Sequence, residues 1–189
     1  RFQAAGVRYD SKGSSIIDVF GDHLDFHTDL LSEEAADWVT LIQRQITKCE
    51  EAANIVGRLA EGLGKAAGGD RNNDAAYARE QFFYRMDIPF RAWLLHLDPA
   101  QGRDEDSREQ AEDDMRREAY SIAYRLGKEL VDQAGENAFV GRTVREKVKG
   151  KDAEVFYSSA KVFSSFRHWI GQCFDIKFDT QQEDEGGIA

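Results

Sequence analysis

Arg142, Arg145, Lys147, Lys149 and Lys151 stand within ten residues against Glu146 alone, a local charge of +4 in a chain whose formal net charge is -10. Cations so placed on a connection can neutralise phosphates and displace counterions without reading base sequence. Lys161 and Arg167 extend this candidate nucleic-acid contact set. The plainer alternative is a solvated connection that balances nearby acids. Residues 98–118 hold nine acids against four arginines, a local charge of -5. The overall acidity argues against a surface that wraps nucleic acid as a whole.

Other chemistry is poorly supported. Helical bundles bind metals through Glu-x-x-His pairs, and neither His96 nor His168 has a carboxylate three residues earlier. Asp22, His23, Asp25, His27 and Asp29 are plausible ligand types, but a polar loop explains them more simply. Glu33, Glu34, Asp37, Glu50 and Glu51 resemble the acidic pairs of all-α, Mg²⁺-dependent nucleotide pyrophosphatases. The helix dipole accounts for Glu33 and Glu34, and Glu50 and Glu51 turn to solvent. Glu80 and Asp87 fall on an aromatic stripe, where each requires a partner from a neighbouring helix. No nucleophile triad or glycine-rich phosphate loop occurs, so no catalytic, cofactor or metal residue is assigned and a non-enzymatic role is expected.

The elements that carry these residues read as helices. Trp38, Ile42, Gln45, Cys49, Ala52, Val56, Leu59, Leu63 and Ala66 follow a 4,3,4,3 spacing, with Val39, Ile46, Ala53, Ala60 and Ala67 widening the stripe. Ser32 is the expected N-cap and Gly68-Gly69 the stop, giving a helix of about 36 residues and roughly 54 Å. Gln45, the one polar seam residue, should hydrogen-bond another helix. A second helix is expected from Asn72 to Leu97, with Ala76, Glu80, Phe83, Asp87, Phe90, Leu94 and Leu97 inward, Tyr77, Tyr84 and Trp93 alongside, and Pro89 as a kink or a lost hydrogen bond. A third begins near Ser107 and stops at Gly135, carried by Met115, Ala119, Ile122, Leu126 and Leu130. A fourth is expected over about 152–174, with Val155, Ser159, Val162, Phe166, Trp169 and Cys173 inward. The basic run then becomes the loop between helices three and four.

Two prolines and 32% charged residues fit an all-α fold. The expected architecture is a four-helix bundle, up-down-up-down, over residues 32–178. Residues 1–31, with Val7, Tyr9, Ile16, Ile17, Val19 and Phe20, read as an extended, β-like lead-in, and 179–189 as a disordered acidic tail. Cys49 and Cys173 sit on apolar stripes, as buried free thiols in a reducing compartment do. No apolar run reaches membrane-span length, so a soluble, cytoplasmic protein is expected, monomeric as an isolated domain. Beginning at Arg1, the chain reads as a piece of something longer.

Gly6, Tyr9, Asp10 and Ser15-Ile16, the long first helix, Ala76-x-x-x-Glu80-x-x-Phe83-Tyr84-Arg85-x-Asp87 and the Phe156-to-Trp169 closing helix together resemble the C-terminal region of the CasA family. CasA is the large subunit of Cascade, the type I-E CRISPR surveillance complex. The resemblance implies a non-enzymatic bundle that contacts other Cascade subunits, especially the small ones, and the DNA backbone at a target paired with guide RNA. The residues that read the motif beside the target belong to an N-terminal domain with no counterpart here. The other classes to separate are the Mg²⁺-dependent pyrophosphatase and a helical adaptor that binds only protein.

Overall fold

The structure, a computed structural model, describes residues 33–68, 72–96, 105–135 and 140–176, apart from the side chains of 33–39, 72–73, 96 and 105–108. The lead-in 1–31, the Ser32 cap, Trp38 and Val39 of the seam, the acids around His23 and His27, Leu97 and the 179–189 tail lie outside those described. Four helices and one hairpin follow in chain order: α1 (Glu33–Ala67), α2 (Asn72–His96), α3 (Glu105–Ala134), β1 (Arg142–Val148), β2 (Lys151–Tyr157) and α4 (Ser159–Cys173).

Every described member of the α1 seam is buried, from Ile42 to Ala66, and so are Ile46, Ala53 and Ala60. The buried stripe is wide because α1 packs against α2, α3 and α4 at once. Gln45 donates from Nε2 to Glu112 Oε1 on α3 at 2.6 Å, the inter-helix hydrogen bond its place on the seam demands.

Cross-helix neighbours give the directions of the bundle. Gln45 meets Glu112, and Leu59 lies beside Gly127, so α1 and α3 run parallel. Lys48 meets Asp175 while Gly62 faces Val162, so α4 runs antiparallel to α1. The second helix packs along the first, with Arg79 of α2 over Gly57. This is the expected up-down-up-down bundle.

The inward face of α2 is shifted from its expected row. Ala78, Phe82, Phe83, Met86, Phe90 and Trp93 are buried, whereas Ala76 and Glu80 are exposed and Leu94 is half-buried. Burial follows the larger aromatic and Met side chains rather than the regular spacing. Glu80 therefore needs no interior partner. Asp87 is half-buried and pairs with Arg91 one turn along its own helix, at 3.1 Å. The helix runs on through Pro89.

The third helix starts two residues before Ser107 and stops as expected at Gly135, which takes φ 71°. Across the α2–α3 boundary, Arg85 grips Glu129 through two hydrogen bonds of 2.9 and 2.6 Å. These bonds hold the Glu129 carboxyl below the usual range.

A larger correction concerns residues 142–157. The basic run is strand β1 and its turn, and the expected start of the last helix is strand β2. Lys149 and Gly150 both have positive φ, 51° and 79°, and make the two-residue turn that matches strand twist. The pairs run from Val148↔Lys151 to Arg142↔Tyr157. The 4,3,4,3 row extrapolated back to Val155 fails because Ser158, extended at φ -137°, caps α4 by accepting from Lys161 N. Ahead of that cap, Val155, Phe156 and Tyr157 are strand formers.

At the other end, Asp175 takes φ 54°, its N–H bonds Gln172 O, and the Ile176 N–H reaches Gly171 O at 2.9 Å. This Schellman closure folds Ile176 back onto the core. Phe166, Ile170, Cys173 and Phe174 fill the interior, leaving Trp169 at the edge, 40% exposed, rather than inward as expected. Both cysteines are buried free thiols, and burial pushes each up to about 12. Neither forms a thiolate at neutral pH, which assigns them to packing.

Gly127 lies where α3 crosses α4. A Cβ there would collide with the Phe166 ring and sit 3.2 Å from Leu59 Cδ2. In an open helix Gly→Ala gains about 1 kcal/mol. Against a fully buried ring, overpacking outweighs that gain, so Gly127→Ala should lower stability by roughly 1–3 kcal/mol in urea unfolding.

Candidate nucleic-acid interface

The hairpin divides its side chains by strand alternation. Val144, Glu146, Ala153, Val155 and Tyr157 are half-buried, whereas Arg145, Lys147, Asp152, Glu154 and Phe156 are exposed. Glu146, the single acid of the basic run, is the anchor. Lys65 near the end of α1 donates to Glu146 Oε2 at 2.8 Å and pairs with Glu61 at 3.0 Å. Tyr157 donates to the other Glu146 oxygen at 2.5 Å, with the Lys65 ammonium 5.2 Å from the centre of its ring.

The electrostatics agree with a tether. Partial burial opposes the Lys65 charge, but the hydrogen bonds to Glu146 and Glu61 outweigh it and raise the ammonium above its usual range. The Lys65 and Tyr157 bonds hold Glu146 low. Burial, then the bond to Glu146, raises the Tyr157 phenol.

With Glu146 turned inward, the cations separate into different settings. Arg145 pairs across the strands with Glu154 at 2.9 Å. Lys147 stands opposite Asp152 in the register. Lys149 and Lys151, both exposed, occupy the turn and its edge. Arg142 is at the far end of the hairpin, its guanidinium over Gly68 at the C-terminus of α1, where a helix dipole favours a cation. The whole hairpin, 142–157, holds five cations against three acids. Its charge of +2 is smaller than the basic run alone shows and is concentrated at the tip.

Lys161, on the first turn of α4, lines a groove of about 310 Å³ between α1, β2 and α4. Arg58, Lys65, Phe156, Val162 and Trp169 share that lining. Arg167 does not. Six residues on from Lys161 it lies about 240° around the helix and is half-buried. The expected set thus resolves into Lys147, Lys149 and Lys151 at the tip, Lys161 in the groove, Arg145 and Arg142 engaged by their surroundings, and Arg167 apart.

Sequence reasoning missed Arg58, whose guanidinium sits 5.5 Å from the centre of the Trp169 ring. It lies on the solvent side of the α1 seam, where a single arginine gives no signal. Among the described residues no group of three or more His, Cys, Asp or Glu side chains could hold a metal ion, and Glu50 and Glu51 are exposed.

Residues 1–126 match the family model for CRISPR-associated protein Cse1. The chain belongs to the Cse1 family. This is the CasA family that the ordered motifs resemble. Among solved structures, the crystal structure of Thermobifida fusca Cse1 is similar, with 29% identity and a TM-score of 0.59 over 76% of this chain and 24% of that one. The chain therefore spans about a quarter of the length of the Cse1 structure it matches. No curated protein matches it. The Cse1 family match takes in α1, α2 and most of α3 and ends before the hairpin.

The Lys65–Glu146 tether carries a pH dependence. Because the folded pKa of Glu146 lies below the ordinary carboxylate value, about 4.3, the tether is complete above that value. It is lost as pH falls through the lowered one. Hydrogen exchange, corrected for the intrinsic effect of pH, should show 142–157 opening in acid. Glu146→Gln should open the hairpin already at pH 7, with α1 to α3 unchanged.

Proposed function

We propose that the chain is the non-enzymatic helical bundle of the large subunit of a cytoplasmic, RNA-guided DNA surveillance complex. It contacts partner subunits through its helices and DNA backbone through Lys147, Lys149 and Lys151 at the hairpin tip, with Lys161 at the base of the hairpin on the first turn of α4. Arg142, Arg145 and Arg167 belong to the wider set but contribute less. Membership of the Cse1 family supports the assignment to such a complex. The single observation that carries the DNA contact is the tether, because it engages the one acid of the basic run with Lys65 and Tyr157 while Lys147, Lys149 and Lys151 stay exposed.

A second feature supports a partner-subunit contact. Tyr77, Tyr84, Ile88 and Leu95, at spacings of 7, 4 and 7, lie along one exposed line of α2. Such a stripe of large apolar side chains is the kind of surface that another protein covers. No helix among the described residues is long and apolar enough to cross a membrane.

Phosphate contacts make affinity salt-dependent, with log K falling by about 0.9 per contact for each unit of log salt. Lys147→Glu, Lys149→Glu and Lys151→Glu combined should weaken target DNA binding by the assembled complex at least tenfold at low salt and flatten the salt slope by about 2–3. Unchanged affinity and slope would favour the protein-only adaptor.

A further inference from the structure

The hollow that Lys161 lines adjoins a second, of about 350 Å³, at the Arg58–Trp169 pair, and together they make one track between α1 and α4. Lys161 stands at the hairpin end of the track, Lys48 and Asp175 at the other. Most of its charges are already matched. Lys48 pairs with Asp175 at 3.3 Å, and Lys65 pairs with Glu61 and Glu146. Among the described residues, however, neither Arg58 nor Lys161 pairs with a carboxylate. Between these two cations lies Trp169, covered on one side by Arg58 and still 40% exposed. The track therefore offers two cations without counter-charge and an open ring.

The chain leaves the described residues at the mouth of this track. Asp175 lines the second hollow and the Ile176 N–H is fastened to Gly171 O, so the next residue sets out beside the end of α4. Residues 177–189 hold Asp179, Glu183, Asp184 and Glu185 against Lys177, a local charge of -3. Their spacing fits the track. Measured from Asp175 along α4, Trp169 lies about 9 Å away and Lys161 about 21 Å, at 1.5 Å per residue. Measured along an extended chain, at roughly 3.3 Å per residue, Phe178 falls about 10 Å from Asp175, Asp179 about 13 Å and Glu183 about 26 Å.

We infer that residues 177–189 dock along the α1–α4 track as an acidic strap of this same chain. Phe178 covers the open side of Trp169, Asp179 meets Arg58, and Glu183, Asp184 and Glu185 meet Lys161. The strap requires no nucleic acid. It does share Lys161 with the proposed DNA contact, so phosphate and the strap carboxylates compete for that cation. Exposed ion pairs are individually weak and screened by salt, and covalent attachment is what makes such a contact count. A segment joined to its site by one or two residues has an effective concentration on the order of millimolar, so even a millimolar affinity gives about half occupancy. The same contact between separate molecules would be negligible at micromolar protein.

The test is NMR of the full 189-residue chain carrying a spin label on Gly186→Cys, the native thiols being buried. The Trp169 indole signal should lose about half its intensity or more at that occupancy, while the Trp93 indole, buried on α2, keeps its own. Neutralising the strap with Asp179→Asn, Glu183→Gln, Asp184→Asn and Glu185→Gln should restore the Trp169 signal. Molar salt, where the screening length is about 3 Å, should do the same. Arg58→Gln combined with Lys161→Gln should release the strap from the groove side, with far-UV circular dichroism to show that the chain is still folded. No loss at Trp169, or a loss that persists in the neutral strap and in molar salt, would overturn the inference. A loss that fades on dilution would overturn it as well, because it assigns the contact to a second copy. None of these results bears on the hairpin tip, whose charge reversal in the assembled complex decides the DNA contact separately.

Discussion

One helix has to satisfy three neighbours at once, and most of the architecture follows from that constraint. Along α1, Ala52, Ala53, Ala60 and Ala66 let other backbones approach closely, while Ile46, Val56, Leu59 and Leu63 supply the apolar area that makes the approach favourable. Both strands of the hairpin also touch α1. A helix buried over so much of its circumference cannot shift toward one neighbour without opening a gap at another. The bundle is therefore a rigid support, and what it supports lies at its C-terminal end, where Lys65 leaves the seam and reaches the hairpin.

The chain shows how far helical spacing carries a reading. The α1 seam was legible because its small and branched residues repeat over eight turns, and the hydrogen bond of Gln45 followed from a polar side chain placed on that seam. On α2 the spacing was misleading. Two interleaved rows both satisfied the period, and only the sizes of Phe82, Met86 and Trp93 select the one that is buried. At the hairpin the same logic failed for a different reason. Val155 fits the row of α4 by period, but the Lys149-Gly150 turn and the Ser158 cap fix the backbone locally, and a cap overrides an extrapolated stripe. The alternation of Val144, Glu146 and Val148 around Lys-Gly was the available signal.

The candidate site was legible in composition but not in arrangement. A run of +4 says that cations are near one another in sequence. Cross-strand pairing then neutralises part of it, since Arg145 meets Glu154 and Lys147 faces Asp152. The acid inside the run, Glu146, would read as a defect in a basic patch, yet it joins the patch to the bundle. Arg58 and Trp169 were invisible as a pair because they sit on helices about 110 residues apart in the chain, brought together only by the antiparallel packing of α1 and α4.

We place the working surface of this Cse1-family bundle on the hairpin, from its lysine tip to its base beside Lys161, carried by a helical support that does not itself change. Hydrogen–deuterium exchange of the assembled complex with and without target DNA tests it most directly. DNA should slow exchange in residues 142–157 and in the turns around Arg58 and Lys161, while the middle of α3 is unaffected. Protection confined to the outer stripe of α2, with none in the hairpin, would contradict it.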